Sequence, residues 1–152
     1  GELCSLTLGD VYANGQVRKE FSLTRDRTKS KRSRSVYRND QVAGAIEQYI
    51  KDQGFGEASP ELPLFSSQSS ARRKPISNRQ AIRCINDAFD AAGVARASSL
   101  SLRRTFANSM RRQGTDMAIF SKLLGHANLS VTSRYMSVDS IEVADAVNML
   151  EY

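Results

Sequence analysis

Asn14-Gly15 stands between two short strand-like runs, Val11-Tyr12-Ala13 and Gln16-Val17, and few dipeptides leave a backbone less choice. The two-residue turn that suits the right-handed twist of paired strands needs positive φ at both central positions, which Asn and Gly tolerate best. A hairpin is expected there. Phe21 and Leu23 alternate with polar neighbours in the manner of a half-buried strand. A basic turn, Thr28-Lys29-Ser30-Lys31-Arg32, would then return the chain through Arg34, Val36 and Tyr37. These segments predict a small three-stranded antiparallel sheet. Ahead of it, Leu3, Leu6 and Val11 follow no evident capping residue, as though the chain entered midway through a helix; the expectation is truncation at this edge.

After Tyr37 the apolar residues change to helical spacing. Asn39-Asp40 can cap a segment carrying Val42, Ile46 and Ile50, ending before Gly54. Residues 55–76 are rich in Ser, Pro and Gly and read as a loop that Leu64-Phe65 tack to the core. Ser77 opens a helix with Ile82, Ile85 and Phe89 on one stripe, closing at Gly93. The next begins near Leu102, carries Phe106 and Met110, and stops at Gly114. Thr115 or Asp116 caps a shorter helix through Leu124, with Gly125 placed to end it. Ser130 starts a short helix containing Tyr135, and Asp139-Ser140-Ile141-Glu142 forms a capping box for a terminal helix with Ile141, Ala144, Val147 and Leu150. The fold class expected is mainly α with one small sheet, in a single domain over residues 1–152.

Composition narrows the function. Lys and Arg number 22 against 16 Asp and Glu, a formal net charge of +6, and such a surface attracts polyanions, of which nucleic acid is the commonest in a cell. Cys4 and Cys84 both fall in apolar-periodic segments and are expected as buried thiols in a reducing compartment. One histidine and no cysteine pair at ligand spacing speak against a histidine- or cysteine-based metal centre. No apolar run reaches the roughly 18 residues of a membrane span, and Gly1-Glu2-Leu3-Cys4-Ser5-Leu6 lacks the basic flank of a signal peptide.

Four features stand out: Lys29 in the basic turn, Arg103 beside Arg104, the single His126 after a glycine, and Tyr135. Arg103 precedes His126 by 23 residues, and Tyr135 follows it by nine. Taken singly, each has a plainer reading: a packing tyrosine, a histidine at a helix end, a solvated lysine, a phosphate-holding arginine. Taken together, Leu102-Arg103-Arg104-Thr105-Phe106-Ala107, Leu123-Leu124-Gly125-His126 and Thr132-Ser133-Arg134-Tyr135 resemble the signature of the tyrosine recombinase, or phage integrase, family. The likeness runs from Gly1 to about Asp139.

The resemblance implies the catalytic domain of an enzyme that breaks and rejoins DNA in site-specific recombination or integration, and it assigns roles. Arg103 would hold a non-bridging phosphate oxygen through its planar fork of donors, and His126 would donate to the same phosphate. Tyr135 would attack phosphorus to form a covalent 3′-phosphotyrosyl link. Lys29 would protonate the leaving 5′-oxygen. Because the bond energy stays in the protein–DNA ester, no metal and no nucleotide cofactor is implied. Arg27, Lys31, Arg32, Arg34 and Arg104 are the expected DNA-binding residues. They include most of a basic stretch, Arg25 to Arg38, whose alternation would turn several side chains to one face along the DNA backbone. Arg72-Arg73-Lys74 is a second basic run. The partners implied are double-stranded DNA and further copies of the chain, assembled as dimers or tetramers on DNA, with residues 136–152 as a tail helix either exchanged between protomers or packed on its own core. The location implied is the cytoplasm, on DNA, without membrane.

The chain departs from the family pattern twice. The family's first catalytic arginine falls two residues before the position of Gly1, and its separate amino-terminal DNA-clamping domain is expected to fall outside this stretch as well. Leu100 stands where the family usually has histidine, three residues before Arg103. These departures leave an alternative open: a recombinase-derived module that grips DNA or a partner with little or no cleavage. Topoisomerase chemistry of the same nucleophile is a third reading, and the Leu-Leu-Gly-His block argues against it.

Overall fold

In a computed structural model, which describes residues 1–67, 74–125 and Asn148, the chain opens with a 3-10 turn at Glu2–Ser5 and a single helical turn, α1 (Leu8–Val11). The entry is capped after all. Thr7 adopts an extended conformation at the N-cap, and the Asp10 carboxylate accepts from the Thr7 backbone N–H at 2.7 Å and from its hydroxyl at 3.0 Å. A Thr-x-x-Asp spacing carries that signal in the sequence.

Strand β1 (Tyr12–Ala13) pairs antiparallel with β2 (Gln16–Val17) through the expected Asn14-Gly15 turn, whose φ angles are 52° and 78°. Strand β3 (Glu20–Leu23) pairs antiparallel with β4 (Arg34–Tyr37), Phe21 opposite Val36 and Leu23 opposite Arg34. The three strands expected are thus four, in two separate two-stranded ladders. The break falls at Arg18-Lys19. There the Arg18 N–H turns back to the Val11 carbonyl (2.7 Å) while the Lys19 carbonyl accepts from Arg38 N–H (3.3 Å). A backbone spent on both neighbours in this way cannot continue one flat ladder.

Helix α2 (Asp40–Asp52) starts where expected, with the Asn39 side chain accepting from Val42 N–H at 2.9 Å. Its buried residues are Ala43 and Ile50, whereas Val42 stays exposed. The stretch from residue 55 to 67 is more firmly built than a loop. Phe55 is wholly buried between two glycines, and Leu64 is buried with it. Tyr49 packs edge-on to Phe55 and donates its hydroxyl to the Leu64 carbonyl at 3.0 Å. Backbone bonds from Leu8 N–H to the Leu62 carbonyl (2.8 Å) and from Leu64 N–H to the Leu6 carbonyl (2.9 Å) join this stretch to the amino-terminal segment. The resulting core combines Leu6, Leu8, Val11, Val17, Leu23, Ala43, Ile50, Phe55 and Leu64.

Helix α3 (Asn78–Ala91) opens at Ser77 as expected, and the structure shows that it does so through a capping box. Ser77 Oγ accepts from Gln80 N–H at 3.2 Å, and Gln80 Oε1 accepts from Ser77 N–H at 3.0 Å. Cys84 lies off the Ile82/Ile85/Phe89 stripe and is exposed, and Cys4 is only half-buried, so neither free thiol sits in a core as expected. The chain forms two compact units, Gly1–Ser99 and Leu100–Tyr152. In the second, α4 (Ser99–Arg112) and α5 (Met117–Leu124) bury Ala107, Phe120 and Leu124, with Met110 and Met117 packed alongside. Among the described residues, no helix is long and apolar enough to cross a membrane. The helices expected around Tyr135 and from Asp139 onward lie outside the described residues.

Candidate active site

Lys29 sits in the turn that joins β3 to β4. This turn is no strand extension, so its basic residues are presented by loop geometry rather than by the alternation expected. Its interior is organised around Thr28, a buried polar residue at 3 % exposure. The Thr28 hydroxyl donates to the Arg32 carbonyl (2.8 Å) and accepts from Arg32 N–H (3.2 Å), closing a ring over residues 28–32 in which Lys31 takes a φ of 55°. Lys29 follows Thr28 and is exposed, as are Arg25, Lys31 and Arg32.

Arg27, on the other side of Thr28, is held by the body of the first unit. Its Nη1 donates to Asp10 Oδ1 at 3.0 Å and its Nη2 to Asp10 Oδ2 at 2.6 Å, the two-pronged pairing that a guanidinium favours. Nη2 also reaches the Ser5 carbonyl, and Nε the Ser5 hydroxyl at 3.3 Å. Burial pushes the Asp10 pKa up, but hydrogen bonds from Arg27 and from the Thr7 backbone and hydroxyl outweigh it and hold the carboxyl below its ordinary range. The Arg27 guanidinium is held above its ordinary value, chiefly by its hydrogen bond to Asp10. Two more arginines of the basic stretch are engaged in a similar way. Arg34 Nη2 lies 2.5 Å from Glu2 Oε2. Arg38 donates to the Arg18 and Val17 carbonyls, both at 3.2 Å, and pairs with Asp40 at 2.8 Å. The sequence marks all seven cations of this stretch alike; the fold sets Arg27, Arg34 and Arg38 to structural contacts and leaves Arg25, Lys29, Lys31 and Arg32 toward solvent.

In the second unit, Arg103 lies on the first half of α4 with Arg104 beside it, and Leu100 sits one turn earlier on the same face. Arg103 Nη2 donates to the Leu124 carbonyl at 2.9 Å. That carbonyl belongs to the last turn of α5, where helix geometry leaves acceptors without a partner of their own. Gly125 ends the helix in a left-handed conformation, φ 69°, which lacks the Cβ clash other residues would meet. Arg103 is thereby tied to the residue two positions ahead of His126. Helix α5 starts on Asp116, whose carboxylate accepts from Ala118 N–H at 2.8 Å and Ile119 N–H at 3.3 Å. His126 and Tyr135 lie outside the described residues, as do Arg72 and Arg73. Asp10 and Ser5 are the residues the sequence reading passed over, and the Thr7-x-x-Asp10 spacing was the available signal for the first.

Residues 1–141 match the sequence pattern of the phage integrase family. The chain belongs to that family. It is 32 % identical, over 98 % of its length, to a tyrosine recombinase of Pseudothermotoga lettingae, of which it covers 48 %. The XerA recombinase crystal structure superposes at a TM-score of 0.76 with 24 % identity, over 100 % of this chain and 53 % of that one. The Tn1549 transposon integrase in complex with a circular intermediate DNA gives 0.71 with 18 % identity, over 98 % of this chain and 53 % of that one. These likenesses establish a shared fold, mostly helical with small antiparallel sheets. The chain spans about half the length of these proteins.

Proposed function

We propose that this chain is the catalytic part of a site-specific recombinase that cuts and rejoins double-stranded DNA through a phosphotyrosyl ester. The observation that carries the reading is the family match over residues 1–141, which takes in Lys29, Arg103, His126 and Tyr135. The Tyr135 oxygen bonds to phosphorus as the bond from phosphorus to the 5′-oxygen breaks. The Lys29 ammonium gives its proton to that oxygen, and the phenol proton passes to water, from which Lys29 is recharged. Arg103 and His126 hold the phosphate oxygens while charge builds on them, the kind of preorganised stabilisation that costs about 10²–10³-fold when one donor is removed. Rejoining runs the same steps backward with a 5′-hydroxyl from another strand, which conserves the ester bond.

Double-stranded DNA is the partner favoured by the exposed cations Arg25, Lys31, Arg32 and Arg104, and the Tn1549 integrase, of the same fold, is seen on DNA. Arg27 and Arg34, committed to Asp10 and Glu2, are weaker phosphate contacts than their sequence positions imply. Self-association on DNA, with residues 136–152 exchanged between protomers, is part of the same proposal, as is a cytoplasmic site of action.

The test uses the intact protein and a duplex nicked so that the released 5′-end diffuses away. A covalent protein–DNA adduct that resists detergent is expected, and Tyr135→Phe should abolish it. An adduct that survives Tyr135→Phe removes the nucleophile assigned here. Salt-sensitive DNA binding with no adduct from the unaltered protein points instead to a gripping module.

A further inference from the structure

The turn that carries Lys29 is a ten-residue connection between the short strands β3 and β4, and a lysine side chain adds four rotatable bonds to it. A proton donor works only within about 2.6–3.2 Å of the atom it serves, and a displacement of about 1 Å can cost on the order of 10²-fold in rate. Something must hold the backbone under Lys29. The Thr28 hydroxyl shapes the turn internally but does not attach it to anything outside itself. The attachment is Arg27, two residues before Lys29, gripped by both oxygens of Asp10 and by Ser5. Asp10 is in turn fixed by Thr7 at the start of α1, whose Leu8 and Val11 are buried in the core. A continuous path therefore runs from the core through α1, Asp10 and Arg27 to the residue beside Lys29.

The geometry points to Asp10 as a positioning residue for proton transfer: through Arg27 it sets where the Lys29 ammonium stands against the leaving 5′-oxygen. This inference rests on the reading of Lys29 as the general acid. It assigns a task to a carboxylate engaged by Thr7 and Arg27, and to an arginine that the sequence alone reads as a DNA contact.

The leaving group separates positioning from mere stability. An alkoxide leaves badly without a proton, whereas a thiol has a pKa near 8.5 and departs as thiolate unaided. Cleavage by the intact protein is measured on two nicked duplexes that differ only in an oxygen or a sulfur at the bridging 5′-position. Lys29→Ala should lose about 10²–10⁴-fold on the oxygen duplex and recover on the sulfur duplex. Asp10→Asn should lose about 10–10²-fold on oxygen and cleave the sulfur duplex at close to the unaltered rate. Equal loss on both duplexes, or none on either, overturns the positioning role of Asp10 and leaves Lys29 untouched. Failure of sulfur to rescue Lys29→Ala removes the general acid itself, and the role of Asp10 falls with it. Should Asp10→Asn not fold, Arg27→Lys decides on the same two rates. It keeps one cation at Asp10 but gives up the fork, so a smaller loss confined to the oxygen duplex is expected.

Discussion

The Lys29 turn in the first unit and the α5 end that Arg103 meets in the second are held by different means. The turn is fixed from a distance: Asp10 and Ser5, 17 and 22 residues earlier in the chain, clamp Arg27 through charge-assisted bonds. In the second unit Asp116 caps the start of α5 and Gly125 ends it, and Arg103 donates to the Leu124 carbonyl. Local devices are written in adjacent residues. A clamp made of an acid and a base depends on protonation and on both partners arriving. The difference teaches that a family's cations, equal in an alignment of types, are held by forces with different sensitivities.

The largest expected effect that would break this contrast is on stability at Asp10. The Arg27–Asp10 side chains are only 21 % and 17 % exposed, so Asp10→Asn leaves a largely desolvated guanidinium with a weaker partner, at a cost of about 1–3 kcal/mol. An unfolded aspartate takes up its proton near pH 3.9, and folded Asp10 takes it up lower still because its pKa is depressed. The clamp's contribution is therefore fully present above about pH 4 and is lost as pH falls through the folded value. Urea denaturation followed by circular dichroism should give a constant gap between the unaltered protein and Asp10→Asn from pH 5 to 8, closing below pH 4. A gap that is unchanged at pH 3, or absent at pH 7, would show that the turn is held by something other than this pair.

How much of this was legible follows the same division. The Asn14-Gly15 hairpin, the caps at Asn39, Ser77 and Asp116, and the stop at Gly125 were readable because each device sits within three or four residues of what it acts on. The splitting of the sheet was not, since it depends on where the Arg18 and Lys19 backbones find partners. Phe55 was hidden by its company: a single aromatic between Gly54 and Gly56 reads as loop, and only the fold brings Tyr49 and Leu64 onto it. The partner of Arg27 was hidden for a related reason. A run of cations announces affinity for phosphate, yet an acid 17 residues upstream had a prior claim on one of them.

The next effect, smaller, sharpens the helix side of the comparison. Gly125 has a φ of 69°, a conformation that costs a residue with a Cβ about 1–2 kcal/mol. Gly125→Ala is expected to lose that much, and because the penalty is steric the loss should not follow the acid-side change expected at Asp10. Measured beside Asp10→Asn in the same denaturation series, a pH-dependent loss at Gly125 would mean that the helix end is also held electrostatically.

The smallest effect isolates the opposite end of α5. Asp116→Ala removes the acceptor of two backbone N–H groups and should cost about 1 kcal/mol, the usual worth of an N-cap. Asp116→Asn offers the same short polar cap without the charge, so it should recover most of that loss if hydrogen bonding carries the cap. The charge itself contributes only through the helix dipole, about 0.3–1 kcal/mol at an exposed end and screened by salt. Repeating Asp116→Asn at low and at molar salt separates the two contributions: the deficit of Asn should shrink with salt while that of Ala persists. If the Ala deficit vanishes with salt as well, this end of α5 is held by charge like the Lys29 turn, and the contrast between the two regions loses half its basis.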